Sequence, residues 1–395
     1  MKFYIIGIDD SAHPRFSPEQ LNIIERGEVF SGGLRHRQIV GDQLPDGAKW
    51  VDITPPMSTL FESYANHAEV VVFASGDPLF YGFAQTVQRL MPEAEVVTFP
   101  HFNSLHQLAH RLVMPYQNMH VVSLTGRPWR AFDAALIESH EMIGVLTDTK
   151  DHTPRKIAQR MVKYGYTNYT ISVGVHLGNE LTESVETLSV EEVASRDFDA
   201  PNNMILKRRY NSRNRLGIPD SEFMLLDGRT KMITKMPIRL ATLAKLDLHR
   251  ATEFWDVGFC TGSISIEAKL RFPHLDIHSF EVREECARIM EGNQRRFGAV
   301  GIEFQIDDFC EADIEKIPNP DAVFIGGHGG KLVEMVSKIA PRLNGGGVLV
   351  FNSVSKQSYD SFMEAVAKNN LTIAEESTIA LDQHNPITII KATKY

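Results

Sequence analysis

Short apolar runs rich in valine and isoleucine alternate with longer stretches of helical pattern along nearly the whole chain, and few folds accommodate that rhythm. Parallel strands need long crossover connections, which helices usually supply, so the chain reads as α/β with largely parallel sheets. In the first half the expected strands are 3–8, 70–74, 120–124, 142–146, 169–173 and 204–207. Helical patterns fall at 18–26, 82–90, 104–112 and 154–164, with Ser17 and Thr153 as caps ahead of Pro18 and Pro154. The second half runs strand 253–257, helix 263–272, strand 276–281 and helix 283–297, then strands 302–306, 321–325 and 348–352. A helix over 356–369 precedes two last runs, 371–376 and 387–392, joined by a polar turn containing Asp382 to Pro386. Parallel strands closing in an antiparallel hairpin are expected there.

Between the halves, 208–235 breaks the rhythm and reads as a linker plus the entry to a second domain. From Lys207 to Arg239, nine Lys or Arg face only Asp220, Glu222 and Asp227, a local balance of +6 inside a chain of net charge -9. Two readings stand side by side: a solvated linker, or cations facing a small polyanionic ligand.

At 395 residues the chain is too long for one ordinary core and implies two domains or three. Its acidic balance argues against general nucleic-acid binding, and it has no apolar run of membrane-spanning length. The opening apolar run is too short for a signal peptide and reads as a first strand. Cys260, Cys286 and Cys310, without CxxC spacing, fit a reducing cytoplasm and neither a disulfide framework nor a metal site, so no metal is expected.

The strongest chemical signal is Trp255-Asp256-Val257-Gly258-Phe259-Cys260-Thr261-Gly262-Ser263, a strand, a glycine loop and a helix start. A dinucleotide site would want GxGxxG, whereas here the spacing is Gly258-x-x-x-Gly262, with Cys260 in the middle. Glu281 stands nineteen residues beyond Gly262 at the end of the next strand, where a carboxylate accepts ribose hydroxyls. After the third strand, Asp308 is placed to reach an adenine amino group and Phe309 to cover the ring. Together these point to an adenosyl ligand. The fourth strand ends in Gly326-Gly327-His328-Gly329-Gly330, without the Asn/Asp-Pro-Pro-aromatic motif of amino-directed nucleic-acid methylases. The glycine pairs open space for a large flat substrate. His328 reads either as a base or carboxylate donor, and so the candidate catalytic residue, or as an exposed loop histidine.

Two resemblances follow from quoted residues. Gly217-Ile218-Pro219-Asp220-Ser221-Glu222-Phe223, Ile233-Thr234-Lys235, the glycine loop and Asp321-Ala322-Val323-Phe324-Ile325-Gly326-Gly327 resemble the C15-methylating, decarboxylating family of cobalamin biosynthesis. That resemblance implies S-adenosylmethionine contacts at Thr234, Asp256, Gly258, Cys260, Thr261, Gly262, Glu281, Asp308 and Phe309. The first half is similar to the tetrapyrrole C-methylase family, its C5-methylating branch, through Ser31-Gly32-Gly33-Leu34-Arg35-His36, Ser75-Gly76-Asp77-Pro78-Leu79-Phe80-Tyr81-Gly82, Ser123-Leu124-Thr125-Gly126-Arg127, Leu177-Gly178 and Glu183. The resemblance implies a methyl donor against Ser75, Gly76, Asp77 and Pro78. One departure stands out: where that family has GxGPGD, this chain has Gly7-Ile8-Asp9-Asp10-Ser11.

The two together resemble the fused C5,15-methylating, decarboxylating enzymes of corrin precursors. They imply a two-lobed tetrapyrrole methylase domain over 1–210 and a Rossmann-like class I methyltransferase domain over 211–395. They also imply one S-adenosylmethionine per domain and methylation at carbons 5 and 15 with loss of the ring C acetate carboxyl. The resemblance further implies a polycarboxylate tetrapyrrole as partner and a homo-oligomer, whose order stays open although second-half relatives form tetramers. Lys231, Lys235 and Arg239, with Gly326, Gly327 and His328, then form the expected substrate wall, the cations clamping carboxylates. The residues alone keep rivals open: a methyltransferase of RNA or protein, an NAD-linked oxidoreductase, or a regulatory module without turnover.

Overall fold

The computed structural model describes residues 1–211, 216–229, 231–381 and 385–394; Arg213, Arg215 and most of the expected turn from Asp382 lie outside them. Two compact units emerge, one comprising Met1–Arg127, His140–Gln159 and Thr167–Arg209, the other Pro128–Ser139, Arg160–Tyr166 and Tyr210–Tyr395.

The first unit opens with a five-stranded sheet of β1 (Lys2–Ile8), β2 (Val29–Gly32), β3 (Lys49–Asp52), β4 (Glu69–Ser75) and β5 (Glu95–Phe99). Their order is β3-β2-β4-β1-β5, and every pairing is parallel. β1 and β4 are central, and their near-continuous apolar runs are buried on both faces, as a covered parallel sheet requires. Val29–Gly32 and Lys49–Asp52 are too short to show a period, so the sequence did not announce them. Ser17 caps helix Pro18–Arg26 in a reciprocal box with Gln20, as expected.

The second sheet comprises β6 (His120–Ser123), β7 (Met142–Leu146), β8 (Tyr169–Val175), β9 (Ser184–Ser189) and β10 (Asn202–Arg208), in the order β6-β7-β10-β8-β9. Only β6 and β7 run parallel, which corrects the largely parallel expectation for this sheet. The link between β8 and β9, residues 176–183, is too short for a crossover, so β9 must turn back.

The second unit holds one seven-stranded sheet of β11 (Glu253–Val257), β12 (Asp276–Glu281), β13 (Ile302–Ile306), β14 (Ala322–Ile325), β15 (Val348–Ser353), β16 (Thr372–Ile379) and β17 (Ile387–Thr393). The order is β13-β12-β11-β14-β15-β17-β16, parallel except for the β16–β17 hairpin and its junction with β15. Trp255, Phe280, Val323, Leu349 and Phe362 belong to its main apolar core. Strand order reverses direction between β11 and β14, and in such sheets ligands bind beyond the carboxyl ends at that crevice. Helices Met236–Lys245 and Leu332–Arg342 were not expected; the first begins immediately after the 208–235 segment, and the second carries Pro341 in its last turn.

Candidate functional sites

At the crevice, Gly258 follows β11 and Gly326 and Gly327 follow β14. Gly258 has φ +81, and a Cβ on it would lie 2.5 Å from the Gly327 nitrogen, so the two loops approach as only glycine permits. A cavity of about 580 Å³ is lined by Lys231, Thr234, Lys235, Asp256, Gly258, Cys260, Thr261, Gly326 and Gly327. A smaller one of about 240 Å³ takes Gly258, Glu281, Asp308, Phe309, Gly327 and His328. Most of the second-half site residues are therefore brought together, on both sides of one glycine contact. Gly262 caps the helix behind the loop at φ +72 and lines neither cavity.

Glu281 organises the loop. Its Oε2 accepts the Cys260 N–H at 3.0 Å, and its Oε1 accepts Val282 and Arg283 N–H and the Arg283 guanidinium at 2.8 Å. One oxygen thus keeps acceptor capacity toward the cavity. Cys260 adopts φ +50, the left-handed conformation that glycine takes freely and other residues at about 1–2 kcal/mol. Its thiol reaches the Met232 carbonyl at 3.1 Å, tying the loop to the entry segment, and a hydrogen bond with Cys286 holds it below the ordinary thiol value.

Asp256 is 1% exposed; burial, against a hydrogen bond from Ser265, pushes its carboxyl up to about 7. Its Oδ1 and the hydroxyl of Thr261 are buried without a partner among the described residues. Buried polar atoms are normally satisfied, and both of these residues line the larger cavity.

Three expectations change. Arg239 is fully buried, donating to Glu267 Oε1 at 2.9 Å, Asp220 Oδ1 at 3.2 Å, the Thr234 carbonyl at 2.7 Å and the Ile218 carbonyl, so it fastens the entry segment rather than clamping substrate. Phe309 touches the smaller cavity, but its ring packs edge-on against Phe280 and Trp255 and is 3% exposed, which makes it core more than a free cover. Asp308 already receives Lys331 at 2.7 Å and the Cys310 N–H at 3.0 Å. Lys331 and that N–H hold its carboxyl below the usual range. His328 accepts the Gly330 N–H on Nδ1 at 3.1 Å, so its neutral ring carries the proton on Nε2 and presents a donor. Asn352, at the end of β15, also lines the larger cavity; its position at a strand end was the available signal.

In the first unit a cavity of about 590 Å³ includes Ser75 and Gly76. A Cβ on Gly76, at φ +63, would lie 2.7 Å from the Asn103 Cα. Asp77 and Pro78 do not line it; they build the turn, Asp77 Oδ1 accepting the Leu79 N–H and the Pro78 carbonyl the Ala84 N–H. The sequence assigned no role to Asp10, Arg35, His36, Gln107 and Asn203, which do line it. Arg35 donates to Asp10 at 2.9 Å and to Ser75 Oγ at 2.8 Å, and His36 Nε2 lies 3.0 Å from that hydroxyl. Gln107 Oε1 and Asn203 Oδ1 are buried acceptors without a partner among the described residues.

Comparison with known proteins gives a match for each half of the chain. Residues 2–194 match the model of the tetrapyrrole (corrin/porphyrin) methylases, and residues 226–391 that of the precorrin methyltransferase domain. A precorrin-6Y C(5,15)-methyltransferase (decarboxylating) of Sinorhizobium sp. is 30% identical over 96% of this chain and 89% of its own. A Salmonella typhimurium cobalt-precorrin-6B C(15)-methyltransferase (decarboxylating) is 35% identical over 36% of this chain and 73% of its own. A crystal structure of precorrin-6y C5,15-methyltransferase from Geobacter metallireducens, at 30% identity, covers 47% of this chain and all of that one with a TM-score of 0.43. The class is thus a methyltransferase, with two methylase domains in one chain. The chain belongs to the precorrin-6Y C(5,15)-methyltransferase (decarboxylating) family, whose membership implies the use of S-adenosylmethionine.

Proposed function

We propose that this enzyme methylates a corrin precursor, precorrin-6B or its cobalt form, at carbons 5 and 15 and decarboxylates its ring C acetate. Carbon 5 is assigned to residues 1–210, and carbon 15 with decarboxylation to residues 211–395. The observation that carries this reading is that each unit holds a ligand-sized cavity lined by residues whose buried polar atoms have no partner among the described residues. S-adenosylmethionine supplies an electrophilic methyl group when bound.

In the second unit, Asp256 and Thr261 receive its amino-acid end and Glu281 its ribose. Asp308 lies on the adenine side, although its pairing with Lys331 must loosen to admit an amino group. In the first unit, Gln107 and Asn203 offer acceptors to N–H groups of the same ligand. Lys231 and Lys235 line the larger cavity and face substrate carboxylates, with the Gly326–Gly327 backbone leaving room for a flat ring. Carbon methylation of an electron-rich macrocycle asks the protein mainly to align reactants and exclude water. Loss of the acetate carboxyl as carbon dioxide leaves a carbon that must take up a proton, and the macrocycle serves as its electron sink. No metal is assigned a role. A homo-oligomer, its order left open, and a cytoplasmic setting complete the reading.

Calorimetric titration with S-adenosylhomocysteine tests it: two equivalents per chain are expected, and NAD should displace neither. One equivalent, or competition by NAD, would overturn the assignment.

A further inference from the structure

The first-unit cavity contains a serine, a histidine and an aspartate that superficially match a nucleophile-activating set, but the hydrogen bonds run the opposite way. Arg35 has no acceptor, so its 2.8 Å contact makes Ser75 Oγ an acceptor. His36 Nδ1 accepts the Gly33 N–H at 3.2 Å. Burial, with Arg35 beside it, lowers His36 to about 4, so the ring is neutral near pH 7 and its proton sits on Nε2. The 3.0 Å contact with Ser75 is then a second donation into the serine oxygen. With both lone pairs engaged, one by a cation, the Ser75 proton has to point away from both donors. Ser75 is exposed and lines the cavity, so that proton faces the ligand space.

Arg35 is the one lysine or arginine among the described residues lining this cavity. Asp10 Oδ1 occupies its Nη1 at 2.9 Å, while His176 Nδ1 meets the other Asp10 oxygen at 2.9 Å. Asp10 is thus held within the wall, and the guanidinium retains free N–H groups. Ser75 O–H and Arg35 make a paired donor edge suited to an anionic oxygen pair. That edge is on the exposed side, whereas the unpartnered acceptor of Asn203 sits at 1% exposure. A methyl donor's N–H groups suit the buried end; the exposed edge faces the ligand too large to be enclosed.

We infer that Ser75 and Arg35, oriented by Gly33, His36 and Asp10, form a docking point for one side-chain carboxylate of the macrocycle during methylation in the first unit. The inference rests on the functional reading above. His36 and Asp10 are positioning residues in it.

Steady-state kinetics on the full chain test it, with carbon 5 and carbon 15 products separated by mass spectrometry. Ser75→Ala is expected to raise the macrocycle KM for carbon 5 methylation about tenfold, as loss of a hydrogen bond to a charged group does, with the methyl-donor KM unchanged. Ser75→Thr should restore it, and Arg35→Lys should fall between, at an unchanged melting temperature. A rise in the methyl-donor KM instead would give the hydroxyl to the donor's own carboxylate and overturn the inference; so would no change in either KM. A wild-type chain that methylates neither carbon would defeat the functional reading itself, a result distinct from both.

Discussion

Replacing Arg239 by leucine separates a structural cation from a substrate clamp. The guanidinium is fully buried and donates to Glu267, Asp220 and the Thr234 and Ile218 carbonyls. Glu267, 1% exposed, also accepts the Gly217 and Ile218 N–H groups, so one buried ion pair joins the entry segment to helix Ser263–Arg271. Arg239→Leu leaves the Glu267 charge buried without its cation, a loss of about 3–5 kcal/mol. For a unit of this size that lowers the melting temperature by roughly 6–20 °C. Differential scanning calorimetry of the full chain should show the shift in the transition of the second unit. At a temperature where that unit stays folded, S-adenosylhomocysteine binding should weaken as well, because Thr234 lines the cavity through the same segment. A shift below about 2 °C, joined to a large loss of macrocycle affinity, would show that Arg239 is a clamp and refute the reasoning.

Lys231→Ala with Lys235→Ala should weaken macrocycle binding far more than S-adenosylhomocysteine binding; equal losses in titrations of the two ligands would remove the clamp role. Glu281→Gln places N–H groups against the Cys260, Val282 and Arg283 donors, and second-site affinity should fall about 10- to 100-fold, near 1.5–3 kcal/mol. An unchanged second isotherm would contradict it. Asp256, raised in the folded chain to about 7, adds stability fully below its unfolded value of 3.8, which is lost as pH rises toward 7. Ligand ammonium favours the ionised carboxylate, so second-site affinity should rise with pH up to about 7 and then level off. Asp256→Asn should flatten both curves, and a slope surviving that substitution would assign it to another group.

The second-unit strands were legible because Val, Ile and Phe runs end at glycine or acidic residues; Glu253–Val257, Asp276–Glu281 and Ile302–Ile306 have the bounds their pattern predicts. Val29–Gly32 and Lys49–Asp52 were not, since four residues carry too little periodicity. The glycine loop and Glu281 could be paired from spacing because one strand-helix-strand unit brings them together. Arg239 could not be placed: a charge count treats every cation as available, and its acceptors, Glu267 and the Ile218 carbonyl, lie far away in sequence. Phe309 shows the same limit for ring orientation. Arg35 and His36 could be read as part of a motif, but the direction of their bonds to Ser75 needs the fold that brings β2 beside β4. Cys260 adopts a left-handed backbone that favours glycine, and what it gains in return is the bond of its thiol to the Met232 carbonyl.

The most direct test of two independent methylation sites is the mass of the product formed from precorrin-6B by the full chain and by two glycine variants. The wild type should add two methyl groups and release one carbon dioxide. Gly258→Val drives a side chain into the Gly327 backbone and should leave one methyl gained with the acetate intact. Gly76→Val, crowding Asn103, should leave one methyl gained with carbon dioxide lost. Carbon dioxide release that survives Gly258→Val, or the same single-methyl product from both variants, would contradict the division of labour between the two units.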